Sequence, residues 1–66
     1  MTTGEEGKYL MQFFHHEQLP AGPREVSKPF CELARHIEAT LPNNPQKTAA
    51  LRKLLEAMDC AVRALE

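Results

Sequence analysis

Apolar residues recur at helical spacing along the middle of the chain. They are separated by four, three, four and four residues, in the order Val26, Phe30, Leu33, Ile37 and Leu41. This periodicity predicts an amphipathic helix. Its start has two interpretations. Either Ser27 is the N-cap and Pro29 lies in the first turn, or the helix begins earlier and kinks at Pro29.

A second helix is predicted from Asn44-Pro45 to about Leu65. Pro42 ends the first helix, because a residue that precedes proline is pushed out of the helical region. Asn44 suits the N-cap and Pro45 the first helical position. The short connection predicts an all-α fold built on an antiparallel helical hairpin.

The second helix carries two apolar stripes. One stripe comprises Leu51, Leu55, Met58, Val62 and Leu65; the other, which we call the alanine stripe, comprises Ala50, Leu54, Ala57, Ala61 and Ala64. Together they cover about half of the circumference, which is more than one partner helix covers. The alanine stripe is therefore expected to face a second copy of the chain, unless the N-terminal segment folds back over it.

The N-terminal part lacks a clear periodicity. Residues 1–8 are expected to be a mobile N-terminus, and residues 9–66 a single helical-hairpin domain. In the aromatic-rich segment 9–16, the i,i+4 pairs of Tyr9 with Phe13 and Leu10 with Phe14 suit a helical turn, but a short extended arm is an equal alternative. The prolines and glycine of residues 17–23 predict a loop.

Composition narrows the functional classes. The 66 residues fit one small domain, and eight Lys+Arg against nine Asp+Glu argue against sequence-independent binding to DNA. The sequence contains no run of 18 apolar residues, so no membrane-spanning helix is predicted. The N-terminus lacks the pattern of a signal peptide, and the cytosol is therefore the expected compartment. A chain this small usually needs a disulfide, a metal or oligomerisation.

The two cysteines give little support to a disulfide or to a metal site. In the predicted hairpin, Cys31 and Cys60 are offset by roughly 7–8 Å along the helix axis, too far for a disulfide without backbone movement. A zinc site needs four ligands, and the pair His15-His16 and the spacing Cys31-x4-His36 do not match the usual patterns. Two small core residues are the remaining interpretation, and self-association is expected.

Basic and imidazole side chains are the candidates for chemistry. Arg24, Lys28 and Arg35 fall on the solvent side of the first helix, where they suit phosphate groups or ordinary surface ion pairs with neighbouring glutamates. His15 and His16 suit acid–base work, or stacking on and hydrogen bonding to a nucleobase. No Ser-His-Asp or Cys-His signature and no glycine-rich phosphate loop is present, so neither an enzyme nor a cofactor is expected.

The order of these features resembles a known family over residues 13–65. The segments that carry the resemblance are Phe14-His15-His16, Leu19-Pro20, residues 30–34, residues 41–57 and residues 61–64. They resemble the small phage-encoded helical-hairpin sponges of cyclic nucleotides, the anti-CBASS and anti-Thoeris proteins. Two positions differ from the family: His15 replaces its tyrosine, and residues 59–63 replace its Trp-Ala-Asn stretch.

The resemblance implies a specific function. Members assemble from hairpin dimers, often into hexamers, and sequester cyclic di- or trinucleotides or cyclic ADP-ribose isomers without cleaving them, in the cytoplasm of the bacterial host. Their pockets lie between protomers. The implied ligand-binding residues are Phe14, His15, His16, Gly22, Arg24, Lys28, Lys47 and Arg63. The alternative is a hairpin that binds a host or phage protein through its aromatic segment and alanine stripe.

Overall fold

Three α-helices account for 73% of the chain. They are α1 (Thr3–Met11), α2 (Ala21–Thr40) and α3 (Pro45–Arg63). The computed structural model describes residues 3–66, with side chains from Gly7 onward. No strand occurs among these residues, so the prediction of an all-α fold is confirmed.

The connection between α2 and α3 follows its local stereochemistry. Leu41, which precedes Pro42, is extended with φ −95° and ψ 145°, and this ends α2. The side-chain oxygen of Asn44 accepts a hydrogen bond of 2.9 Å from the backbone N–H of Lys47, and Pro45 opens α3. Both predicted boundaries are confirmed, and α3 ends at Arg63, two residues before its predicted end.

Loss of this cap has a measurable cost. Asn44→Ala is expected to lower the free energy of unfolding by about 1 kcal/mol, because the N–H of Lys47 loses its partner. Asn44→Asp keeps the accepting oxygen and is expected to stay close to the unchanged protein. Urea denaturation followed by circular dichroism compares the three proteins; equal midpoints for the alanine and aspartate variants would contradict the capping role.

Helix α2 begins earlier than Ser27. It starts at Ala21, so Ser27 lies inside the helix and is buried, and its prediction as the N-cap is wrong. The loop prediction for residues 17–23 is likewise wrong from Ala21 onward. Pro23 is tolerated in the first turn because the N–H groups there have no helical partner to lose. Pro29 lies in the interior of the helix, as in the second interpretation.

Helix α1 corrects the expectation for the N-terminus. Residues 3–8, for which no regular element was expected, belong to α1, while residues 1 and 2 lie outside the described residues. Gly7 is buried, and a Cβ atom there would lie 3.4 Å from Glu38 Oε2 and 3.8 Å from Leu51 Cδ1. The missing side chain therefore lets the α1 backbone approach both α2 and α3.

Part of the aromatic segment is helical: residues 9–11 end α1, residues 12 and 13 form a turn, and residues 14–16 lie outside any regular element. Helix α1 includes Tyr9, and the N–H groups of Gln12, Phe13 and Phe14 donate to carbonyls three residues earlier. The rings of Tyr9 and Phe13 meet edge to face, with centroids 5.5 Å apart. The chain then turns back toward the start of α2.

The core forms where the three helices meet. Its buried apolar members are Phe14, Cys31, Ala34, Leu51 and Met58. The predicted stripe of α2 packs inward only in part: Phe30 and Ile37 pack against the core, whereas Leu33 is 48% and Leu41 45% exposed. At about 100° per residue, the buried row of Ser27, Cys31 and Ala34 lies about 90° around α2 from that stripe.

Both long helices leave apolar side chains at least partly exposed on the flank away from α1. We call this surface the open face. Helix α1 lies on the other flank, because Gly7 approaches Glu38 and Leu51, and Glu17 of the following loop pairs with Arg35. From Gly7 onward, the N-terminal segment therefore lies on the flank away from the alanine stripe. The open face comprises Val26, Phe30, Leu33, Ile37 and Leu41 of α2 and the alanine stripe of α3.

Candidate functional site

A cleft of about 400 Å³ lies between the loop after α1 and the C-terminal half of α3, with α2 contributing one residue. Its volume is within the range of small-molecule sites. The apolar wall comprises Phe13, Leu19, Leu55, Met58 and Val62, and the polar lining comprises His15, Ser27, Asp59 and Arg63. An apolar wall with a few polar groups is the usual composition of a ligand pocket.

The core residue Phe14 anchors the loop that forms one side of the cleft. Phe14 is 3% exposed and packs in the core, which leaves the neighbouring His15 at the surface. The backbone N–H of Leu19 donates to the carbonyl of His16 at 3.1 Å and closes a turn. Burial of the Phe14 side chain thus helps to fix the three loop residues that line the cleft, Phe13, His15 and Leu19.

A second tether joins this loop to α2. Arg35 forms an ion pair with Glu17 at 3.6 Å, and the backbone N–H of His16 donates to Glu17 at 3.2 Å. Hydrogen bonds from the backbone N–H groups of Glu17 and of His16 hold the pKa of the Glu17 carboxyl below its usual value. Glu17 therefore stays charged at neutral pH and available to Arg35.

Two charged residues reach the cleft from α3 one helical turn apart. Asp59 and Arg63 have the spacing of an i,i+4 ion pair, which the sequence alone would assign to each other. Among the described residues, however, no ion pair joins them. Both charged groups are therefore available to a ligand.

Ser27 supplies a buried polar group. Its side chain is 1% exposed, and Oγ has no hydrogen-bond partner among the described residues. A buried hydroxyl without a partner costs about 1–3 kcal/mol, and such groups in folded proteins usually meet a ligand or an ordered water. Since Ser27 also lines the cleft, a group bound there can supply this hydrogen bond.

The sequence-predicted site residues divide into two groups. His15 and Arg63 line the cleft together. Arg24 lies exposed one turn before Ser27, so it projects from nearly the same side of α2, and the exposed Lys28 follows it by four residues. His16 does not line the cleft; its Nδ1 lies 3.7 Å from Glu17 Oε1. Gly22 lies in the first turn of α2, where a Cβ would be 3.7 Å from Leu65 Cδ1.

Two predicted ligand contacts need correction. Phe14 is a core residue and does not face the cleft. Lys47 is 4% exposed, and its Nζ donates to the carbonyl of Glu38 at 3.0 Å and to Asn43 Oδ1 at 2.9 Å, with the Glu38 carboxylate at 3.4 Å. The Lys47 ammonium therefore stabilises the connection between α2 and α3, and within this protomer it has no surface for a phosphate.

Sequence reasoning missed Ser27 and Asp59 as cleft residues. For Ser27 a signal existed: it begins a row of small residues with Cys31 and Ala34 at helical spacing, a pattern typical of close helix packing. For Asp59 no such signal existed, because the i,i+4 basic residue offered a sufficient partner.

Neither cysteine lines the cleft. Cys31 and Cys60 are free thiols, the first buried and the second exposed. Burial raises the pKa of the Cys31 thiol, so it stays protonated and serves as a core residue. Within residues 3–66, no group of three His, Cys, Asp or Glu side chains is placed to hold a metal ion, and no helix is long and apolar enough to span a membrane.

No protein-family model, curated protein or solved structure matches this chain.

Proposed function

We propose that the protein binds and sequesters cyclic di- or trinucleotides, or cyclic ADP-ribose-type signals, without cleaving them, in the cytoplasm of a phage-infected bacterium. The observation that carries the proposal is the cleft, in which the unpaired Arg63 and His15 stand beside an apolar wall. An arginine fork suits phosphate oxygens, and an apolar wall with an imidazole suits a base. The resemblance to the phage sponges points to the same ligand class.

The size of the cleft supports a site shared between protomers. Its volume of about 400 Å³ suits one nucleoside-sized group, whereas a cyclic dinucleotide carries two bases and two phosphates. Each protomer would therefore hold one half of the ligand, with Arg24 and Lys28 extending the basic surface toward the remaining phosphate. A symmetric ligand and a symmetric oligomer fit each other in this arrangement.

The cleft also supports binding without cleavage. Ser27 and His15 both line it, but Ser27 Oγ makes no hydrogen bond, so the two do not form the nucleophile–base pair of a hydrolase. Sequestration requires only affinity, and no cofactor takes part in it.

The open face supports the homo-oligomer that the proposal requires. Its α2 half carries large side chains such as Phe30 and Leu33, and its α3 half is the alanine stripe. A two-fold axis parallel to the helices places the large half of one copy on the small half of the other, so the surface complements itself. Dimers formed in this way would be the units of a hexamer.

The proposal is tested by calorimetric titration with a panel of cyclic di- and trinucleotides. Arg63→Ala is expected to weaken binding roughly ten- to a hundredfold, because one charge-assisted contact to phosphate contributes about 1.5–3 kcal/mol. Arg24→Ala and Lys28→Ala are expected to act in the same direction with the helical content unchanged. Arg52→Ala, an exposed arginine of α3 outside the cleft, is the matched control.

Two results would contradict the sponge. One is that the Arg63→Ala and Arg52→Ala variants bind the cyclic nucleotides with equal affinity and that Arg24→Ala and Lys28→Ala leave this affinity unchanged. The other is recovery of hydrolysed ligand after the complex is denatured, since a sponge returns its ligand chemically unchanged.

A protein-interaction module is the second candidate. The exposed aromatic pair favours it, since Tyr9 is 62% and Phe13 40% exposed, and exposed aromatic side chains often serve as protein-binding anchors. A thermal-shift panel separates the two functions: a cyclic nucleotide that binds only the folded sponge raises its melting temperature, whereas the module responds to none.

A further inference from the structure

The polar groups of the cleft differ in the chemistry that they offer to a base. Asp59 presents an unpaired carboxylate, which only accepts hydrogen bonds, and Arg63 presents a guanidinium, which only donates them. They lie one helical turn apart on the same side of α3, about 5–6 Å between Cβ atoms. A ligand that binds both side chains must present adjacent hydrogen-bond donors to the Asp59 carboxylate and, beside them, hydrogen-bond acceptors to the Arg63 guanidinium.

We propose that the cleft reads a guanine base of its ligand, with Asp59 as the residue that determines specificity. Guanine presents N1–H and the N2 amino group side by side, and these two donors match the two oxygens of one carboxylate. Its O6, beside N1–H, is an acceptor for one N–H of Arg63, and the remaining donors of the guanidinium stay available for phosphate. This inference rests on the proposed function and names the base which that site selects.

The other bases do not satisfy the Asp59 carboxylate. Adenine and cytosine each present one donor next to a ring acceptor, so the second carboxylate oxygen would face a lone pair. Uracil presents a single N–H between two carbonyls. Asp59 is exposed in the free protein. A base bound against it displaces water from the carboxylate, so an oxygen left without a donor costs binding energy and discriminates against these bases.

The rest of the cleft fits a flat base with one further polar contact. Leu55, Met58 and Val62 supply an apolar wall against which a ring can pack. The orphan hydroxyl of Ser27 both donates and accepts, so it can bind a polar atom at the inner edge of the base. This would supply the hydrogen bond that Ser27 lacks within the chain.

The test compares affinities for cyclic di-GMP, cyclic di-AMP and cyclic di-IMP by calorimetric titration. The unchanged protein is expected to bind the guanine ligand at least about tenfold more tightly than the adenine ligand. The hypoxanthine ligand, which lacks the 2-amino group, is expected to lie between them. Asp59→Asn keeps the side-chain shape but replaces one acceptor by a donor, so it is expected to remove this preference. Glu56→Gln, at an exposed position of α3 outside the cleft, is the matched control.

The outcomes separate this inference from the sponge function. Adenine binding as tight as guanine binding, still weakened by Arg63→Ala, would overturn the guanine inference and leave the sponge standing. If no cyclic ligand binds, the same titration is made with GMP and AMP. A preference for GMP that Asp59→Asn removes would support guanine recognition by the cleft without the sponge function. Absence of binding to either mononucleotide as well would overturn both. Circular dichroism melting of Asp59→Asn confirms that each comparison is made on folded protein.

Discussion

Ala57→Glu is expected to convert the proposed oligomer into a monomer of 7.5 kDa. Ala57 lies exposed in the middle of the alanine stripe, where the proposed dimer brings a second helix close to the backbone. A glutamate there has no space, and burial of its unpaired carboxylate costs several kcal/mol. A loss of this size raises the dissociation constant roughly a hundredfold or more, which removes the assembly at ordinary concentrations.

Sedimentation equilibrium measures this result, and circular dichroism shows whether the protomer keeps its helices. Ala39→Glu introduces the same charge at an exposed position on the outer side of α2, away from the open face, and is expected to leave the mass of the oligomer unchanged. A monomeric unmutated protein, or an Ala57→Glu variant with the mass of the unmutated one, would refute assembly through the open face.

Leu51→Ala is expected to remove most of the stability of the chain. Leu51 is fully buried, and its Cδ1 lies next to Gly7 of α1 while the rest of the side chain packs in the core between the long helices. Truncation of a buried leucine to alanine costs about 2–5 kcal/mol, whereas a domain of this size has roughly 3–10 kcal/mol in total. The melting temperature should fall by at least about 10 °C.

Thermal and urea denaturation at one fixed protein concentration measure this loss, because oligomerisation makes stability concentration-dependent. Leu65→Ala is the control, since Leu65 is 52% exposed and its truncation leaves no cavity in the core. A midpoint for Leu51→Ala within a few degrees of the control would show that the three helices do not share one core at this position.

Local stereochemistry made the two long helices predictable. Pro42 excludes Leu41 from the helical region. Asn44 caps α3, and Pro45 occupies its first helical position. Such signals act over a few residues and do not depend on what packs nearby. For the same reason the end of α2 and the start of α3 were assigned correctly.

The start of α2 and the helix α1 were not predictable in this way. Ser27 has the chemistry of an N-cap, but its position beside Cys31 makes it a small residue at a close packing contact. Gly7 has a poor helix propensity, so the segment before Tyr9 gave no helical signal. Its contact with Leu51 exists only in the folded chain, and packing there offsets the low propensity.

The candidate site shows the same division. His15 and Arg63 were singled out from residue type, and the fold brings them into one cleft. Phe14 and Lys47 were also chosen by residue type, yet both are buried. Phe14 packs in the core, and Lys47 pairs with Glu38. Asp59 also lines the cleft, and its carboxylate is available there because Arg63, the partner expected from the i,i+4 spacing, does not pair with it.

By itself the sequence determined the all-α class and the boundaries between α2 and α3. It also determined the apolar excess of α3, because these properties follow from backbone sterics and helical periodicity. Only the tertiary structure decided which flank of α2 is buried, that α1 packs against the opposite side from the alanine stripe, and which polar groups share a cleft. Periodicity shows which side of a helix is apolar. Which side is buried depends on the free energy of all three helices packing together, and contacts between distant residues set that balance.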